Sequence, residues 1–465
     1  MKQKKHFKPS GEVEPTTCKC QICSNNVPFE LPNYLLEKYA NGNLVVFAGA
    51  GISTENKSVT PENFFERMLS EYCDGDKSID FPAVMQTIEN RPGGRIILIK
   101  EILDRIEYVR SFPDMYWEAT RFHRELATMW NIDTIVTTNW DDFFERETGA
   151  TPFVLSSDIP FWNSAKRRVL KVHGSIANLG TIVASTDDYA NSTKALSRNL
   201  IGAKLKLLLA EKTVVFVGYS LRDSNIRKIL KFVTKTLSRH QGQHYFISPF
   251  IEEEDISRTR SLGLQAIKTS GTHFLHTLKV LALCMTSSLS DSIYDEVAAQ
   301  IDIMADIHTN VANDFNSRRY PTVIYSLSYQ DGILHALRRI QNMRKLGIYS
   351  NAQRTMETIY QYVTEHRAMR LKQKRYEDVA YIDGYVEALG ATIDCGNPQL
   401  ETEMQLSPYY VFGSRKRIST LNHFKSELIK SKNNHKTAWK RANEYVLKNN
   451  FPNDGSIVFE HAVAI

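Results

Sequence analysis

The chain has 465 residues, enough for two or three domains. Hydrophobic residues make up 42% and charged residues 24%, which excludes disordered, fibrous and membrane-embedded classes. The net charge is +6, too small to make nucleic acid an obligatory partner by itself.

Residues 1–30 read as a polar arm, with Pro9, Pro15 and Pro28 and no periodicity. Its start is basic, but no apolar signal core follows, and no apolar run approaches the roughly 20 residues of a membrane span. The expected location is the cytoplasm. The six cysteines lie mostly apart, unlike a disulfide framework. The exception is Cys18, Cys20 and Cys23, three close thiols that zinc could take, with His6 or Cys73 as a fourth ligand. Only one Cys-x-x-Cys unit is present, so reduced, unliganded thiols on an exposed arm are the simpler expectation.

From about residue 31 to 280 apolar runs alternate with amphipathic ones, the pattern of a parallel sheet crossed over by helices. The first run, Leu44 to Phe47, ends in Gly49-Ala50-Gly51 and then Ser53. Small residues there let backbone N–H groups approach a phosphate, and a helix start adds a positive dipole end. Glycine also serves tight turns for purely steric reasons. Helices are expected at 62–72, 95–106 and 116–129. A second strand, Thr134 to Thr137, runs through Thr138 into Asn139, Trp140 and Asp141. An amide and a carboxylate two residues apart can bond ribose hydroxyls and a carboxamide, although Asn and Asp are also favoured turn and cap residues.

After an expected helix at 141–147, a third strand, Val169 to Val172, meets His173 and Gly174. An imidazole titrates near neutrality and can act as a general base; the following glycine would leave one side of the ring open. A strand is expected at Thr181 to Ala184 and a helix at 203–211. The run Val214 to Val217 then meets Gly218, Tyr219 and Ser220, with Asp223 placed to cap a helix at 224–233. Tyr245 to Ile247, a helix at 252–261 and an edge strand at Leu264 to Ile267 complete the region. The fold expected is α/β, a Rossmann-like parallel sheet with helices on both faces, followed by an all-helical C-terminal domain.

That second domain, residues 281–465, is predicted helical at 293–315, 333–346, 351–371, 376–389, 420–430 and 436–447. Between Gly413 and Asn450 ten basic side chains stand against Glu427 and Glu444. Such a face suits nucleic acid or an acidic partner, and it also suits a solvated helix surface.

Every segment singled out in the first domain lies at the C-terminal end of a predicted strand, the edge where open parallel sheets bind ligands. Together they resemble the sirtuin family: its Gly-Ala-Gly phosphate loop, its Thr-Gln-Asn-x-Asp turn (here Thr137-Thr138-Asn139-Trp140-Asp141), its His-Gly and its Gly-Thr-Ser (here Gly218-Tyr219-Ser220). The resemblance spans roughly residues 31–270. Two departures separate the chain from protein-deacylating sirtuins. No zinc module follows His173, and residues 54–61 do not read Pro-Asp-Phe-Arg. The stretch Gly218 to Asp223 is similar to the form found in bacterial sirtuin-like defence proteins.

What the resemblance implies is hydrolysis of NAD+ to nicotinamide and ADP-ribose, without a catalytic metal, by a regulated effector of anti-phage defence. Gly49, Ala50, Gly51 and Ser53 would hold the pyrophosphate, Gly218 and Ser220 the adenosine ribose, and Thr138 would also bind the cofactor. Asp141 would contact the nicotinamide carboxamide. Asn139 would orient the water and the nicotinamide ribose, and His173 would accept the proton. A homo-oligomer is expected, with a HerA-type hexameric ATPase as a partner by family analogy. A non-catalytic NAD or ADP-ribose sensor is the competing reading, and an NAD-dependent deacylase a third.

Overall fold

In the computed structural model, residues 20–449 are described, apart from 55, 57, 61, 239–241, 284, 398, 399, 401 and 415. Cys18 and His6 lie outside the described residues. The chain divides into two compact units, residues 1–285 and 286–465.

The first unit is built on a seven-stranded sheet, all parallel. Its strands are β1 (Leu44–Ala48), β2 (Thr134–Thr137), β3 (Thr151–Phe153), β4 (Arg168–Lys171), β5 (Thr213–Val217), β6 (His244–Ser248) and β7 (Leu264–Lys268). They lie in the order β3-β4-β2-β1-β5-β6-β7. The strands run outward from β1 in both directions, which puts a crevice beyond the carboxyl ends of β1 and its neighbours.

The apolar runs are continuous because both faces are covered. Along β1 the side chains alternate. Leu44, Val46 and Ala48 pack with Phe122, Leu126, Phe274 and Leu278 on one face. Val45 and Phe47 pack with Leu205, Leu209, Ile226 and Leu230 on the other. A third cluster, around Phe64, Met68, Met85 and Ile102, joins the helices Phe64–Tyr72, Phe81–Glu89 and Gly94–Ser111. This helical insertion between β1 and β2 forms one wall of the crevice.

Several elements differ from the expectation. Residues 181–184 are not a strand: a 3-10 turn, Leu179–Thr181, precedes them and the helix Thr186–Arg198 follows. Ile182 and Ala184 are apolar because they fill the helical insertion's core, not because they pair. The missed strand is β3, three residues containing Pro152, paired only to β4. An edge strand tolerates that missing N–H. The helix expected at 116–129 is two, Pro113–Ala119 and Arg121–Ala127.

The second unit is helical. Its longest helices are Ile293–Asp314, Val323–Asn342 and Tyr376–Gly396, which share one core containing Val297, Ile333 and Leu389. A smaller core around Phe315, Val323 and Phe424 receives the basic helix Leu421–Asn434. No helix among the described residues is long and apolar enough to cross a membrane.

Candidate active site

The register of the sheet assembles the site. Ala48 pairs with Thr137 on one side and Val217 on the other, and Thr137 pairs with Lys171. Four strands therefore end in one row, and the loops that follow emerge side by side. They line a cavity of about 1030 Å³, which contains Gly49, Ala50, Gly51, Thr138, Asn139, Asp141, His173, Gly218 and Ser220. That volume is at the top of the range of small-molecule clefts, roughly 300–1,000 Å³.

The loops are fastened to one another by backbone bonds. Gly49 N–H donates to Val217 O and Gly51 N–H to Gly218 O, both at 3.0 Å. Thr137 Oγ1 donates to Ala48 O at 2.9 Å and accepts from Asn139 N–H at 3.0 Å. Gly218 sits at φ +59°, and a Cβ there would lie 2.5 Å from Ile52 N. The glycines thus let the β1 and β5 loops interlock, a steric role alongside any contact with phosphate.

His173 is 2% exposed. Its Nε2 lies 3.1 Å from Asp223 Oδ2, within ion-pair distance but off the line of a hydrogen bond. The other oxygen, Asp223 Oδ1, caps the helix Ser224–Leu237 by accepting from Asn225 N–H at 2.8 Å and Ile226 N–H at 3.2 Å. Tyr189 sets its ring edge-on to the imidazole, 5.1 Å between centroids.

Residues 133–267 match the SIR2-like domain. The chain is 30% identical over 235 residues to the NAD(+) hydrolase ThsA of Enterococcus faecium, a match covering 47% of each chain. It is 25% identical over 248 residues to the ThsA of Acinetobacter baumannii, covering 50% of this chain and 48% of that one. With the defense-associated sirtuin 2 of Bacillus subtilis it shares 28% over 262 residues, 53% of this chain and 25% of that protein. The match spans about half the length of the ThsA relatives.

Within the matched region the electrostatics differ from residue to residue. Burial drives the His173 pKa below its ordinary value, with Asp223 and Asp188 opposing. The imidazole is therefore neutral near pH 7, the form a general base requires. Burial raises Asp141 to about 6, against the pull of Lys171. Asp141 Oδ1 accepts from Phe143 N–H at 3.1 Å, the local bond of a turn. Lys171, 1% exposed, donates to Asp141 O and at 2.9 Å to Glu145 Oε1, which holds the loop in place from beneath.

Asn139 is 5% exposed, and neither Oδ1 nor Nδ2 has a partner. A buried amide so placed costs about 1–3 kcal/mol per unmet group unless something in the cavity meets it. Ser53 is the exception among the expected residues. It is fully buried and does not line the cavity; its Oγ is unpartnered behind the turn. Ser220 is at the open rim, exposed.

Gly174 has a different reason from the expected one. It sits at φ +85°, and a Cβ there would lie 2.1 Å from Thr181 O. The turn requires it, and the ring before it is closed in. The sequence predicts the cap at Asp223 but not its contact with His173, which joins two distant segments. Arg105 carries no motif in the sequence. Its buried guanidinium lines the cavity and donates to Thr54 O at 3.0 Å, Thr60 Oγ1 at 2.6 Å and Glu62 O at 3.0 Å.

Proposed function

We propose that the chain hydrolyses NAD+ to nicotinamide and ADP-ribose, as a regulated effector of defence against phage. The observation that carries this reading is Asn139. Its amide is buried with both polar atoms unmatched, and it faces the same cavity as His173 and the turn at Gly49–Gly51. A ribose hydroxyl and an attacking water would satisfy it. The printed names of the ThsA relatives point to the same chemistry.

The bond broken joins the nicotinamide nitrogen to ribose C1′. Nicotinamide leaves as a neutral molecule and needs no acid. The sugar passes through an oxocarbenium-like state, which water attacks. His173 takes the proton of the ribose hydroxyl or of that water and then releases it to solvent. The Asp223 carboxylate favours the imidazolium formed in between. Asp141 would receive the carboxamide, the turn at Gly49–Gly51 the pyrophosphate, with Thr138 beside it, and Gly218 and Ser220 the adenosine ribose.

Unrestrained loss of NAD+ would kill the host, so the activity would be held in check. We assign that restraint to the helical unit, through self-assembly or through a partner at its basic helices.

The reading is tested by incubating the full chain with NAD+ and following nicotinamide by chromatography, with an activating partner supplied where the chain alone is silent. Wild type should release nicotinamide, and Asn139→Ala and His173→Ala should not, while keeping their fold. Full activity in either variant removes that residue from the mechanism. Tight NAD+ binding without any release favours a sensor.

A further inference from the structure

Away from the cavity, the segment carrying Cys20 and Cys23 folds back against the helix Gly271–Leu281. One donor atom each from Cys20, Cys23 and His276 lies within 4.8 Å of the others. Cys20 Sγ is 3.3 Å from His276 Nε2, and Cys23 N–H donates to Cys20 Sγ at 3.5 Å. The far ring nitrogen, His276 Nδ1, is 3.0 Å from Glu125 Oε1, and Lys279 Nζ is 2.6 Å from the same oxygen. The group is half-buried, with His276 16% and Glu125 10% exposed.

We propose that Cys20, Cys23 and His276 bind a zinc ion, with Glu125 orienting the imidazole. Two thiolates and an imidazole are ligands zinc prefers. With Zn–S near 2.3 Å and Zn–N near 2.0 Å, a tetrahedral ion sets its donors roughly 3.3–3.8 Å apart, so these three need only small movements to close on it. Glu125 supplies the second argument. Its Oε1 stands between Lys279 Nζ, at 2.6 Å, and His276 Nδ1, at 3.0 Å, so the lysine holds the carboxylate against the ring. A carboxylate oxygen accepting from Nδ1–H fixes the tautomer that turns the Nε2 lone pair toward the sulfurs, the arrangement that supports metal-bound histidine.

Binding releases the two thiol protons to solvent and takes the imidazole neutral. The fourth position falls to water, as zinc sites with three protein ligands allow. The sequence expectation of unliganded thiols changes accordingly, and the histidine that joins them is distant in the chain. Cys73, considered as a ligand, packs instead with the helical insertion. None of the three ligands lines the cavity. The ion would tie the N-terminal segment to a helix under the sheet, so its role is structural.

The test is elemental analysis of the full chain purified without chelator, together with cobalt substitution. About one zinc per chain is expected, falling below roughly a tenth in the Cys20→Ser/Cys23→Ser double variant and in His276→Ala. The Glu125→Gln variant should keep the metal and lose about 10–100-fold in affinity in a chelator competition. Cobalt in the wild type should show thiolate charge transfer and the intense visible bands of a tetrahedral ion. A wild type that takes up no zinc or cobalt, a cobalt spectrum without thiolate charge transfer, or full zinc in the double variant each overturns the proposal. The wild-type cobalt spectrum decides should the variants fail to fold.

Discussion

His173 Nε2 and Asp223 Oδ2 lie 3.1 Å apart, and the same carboxylate caps the helix that begins one residue later. One side chain thereby locks a helix start and sets a negative charge against a buried imidazole. Burial and the Asp223 charge also raise the hydroxyls of Tyr189 and Tyr219, so these stay protonated around the pair.

Replacing Asp223 by Asn separates the two tasks. Asn caps helices as well as Asp does, so the melting temperature should stay close to wild type. Nicotinamide release should fall roughly 10²-fold because the imidazolium loses its counter-charge. The acid limb assigned to any His173 titration should move to lower pH. An unchanged rate would leave Asp223 with the cap alone.

The Asn139→Ala substitution should lower activity by about 10²–10³-fold without loss of stability. Removing a buried amide whose two polar atoms lack partners costs the fold no hydrogen bond. Thermal unfolding and nicotinamide release on the same sample check both halves. A large drop in melting temperature would mean that the amide is a structural element.

The pH dependence should follow Asp141. Its carboxyl is raised to about 6, so it is ionised above that pH and neutral below. The ionised form is the acceptor for a carboxamide. Turnover per KM should therefore fall about tenfold per pH unit below about 6. Burial also lowers the His173 pKa, so the Asp141 variant is what assigns the limb. The Asp141→Asn variant should be slower and flat across that range. A limb unchanged in that variant would move the assignment elsewhere.

Acid should weaken the fold through His123. Burial among Phe122, Phe143 and Phe144 lowers its pKa to about 3, and neither nitrogen has a partner. An unfolded imidazole takes a proton near pH 6.5. Below that the unfolded chain binds the extra proton, so stability falls as pH drops from about 6.5 toward 3. The His123→Phe variant should remove roughly 1.4 kcal/mol of that slope per pH unit, read by denaturant titration at several pH values.

The Gly218→Ala substitution forces a left-handed residue to carry a Cβ against Ile52 N. A loss of about 1–3 kcal/mol in stability and of NAD+ affinity should follow, read by thermal melts and calorimetry. A variant as stable as wild type would show that the two loops yield.

The sheet was legible because each buried strand is a short apolar run ending in a small or polar residue. β1, β2 and β5 appear in the sequence as Leu44, Thr134 and Val214 runs within a residue of their observed bounds. Thr181 to Ala184 misled because apolar residues that fill a helical core look like a strand when they are few. β3 was invisible because an edge strand with Pro152 and exposed Thr151 has no apolar run to notice. The loops Gly49–Gly51, Asn139–Asp141, His173 and Gly218–Ser220 were readable as strand ends. Their meeting in one cavity depends on register, and a sequence does not print register. The same limit hid the approach of Asp223 to His173 and of His276 to Cys20, since each pair is joined only by the folded topology.

The most direct measurement is turnover of NAD+ by the full chain in heavy-oxygen water, with products read by mass spectrometry. Free nicotinamide and ADP-ribose carrying one heavy oxygen are predicted, and both should vanish in His173→Ala. NAD+ recovered intact from wild-type protein that binds it, with its activating partner present, would contradict the account.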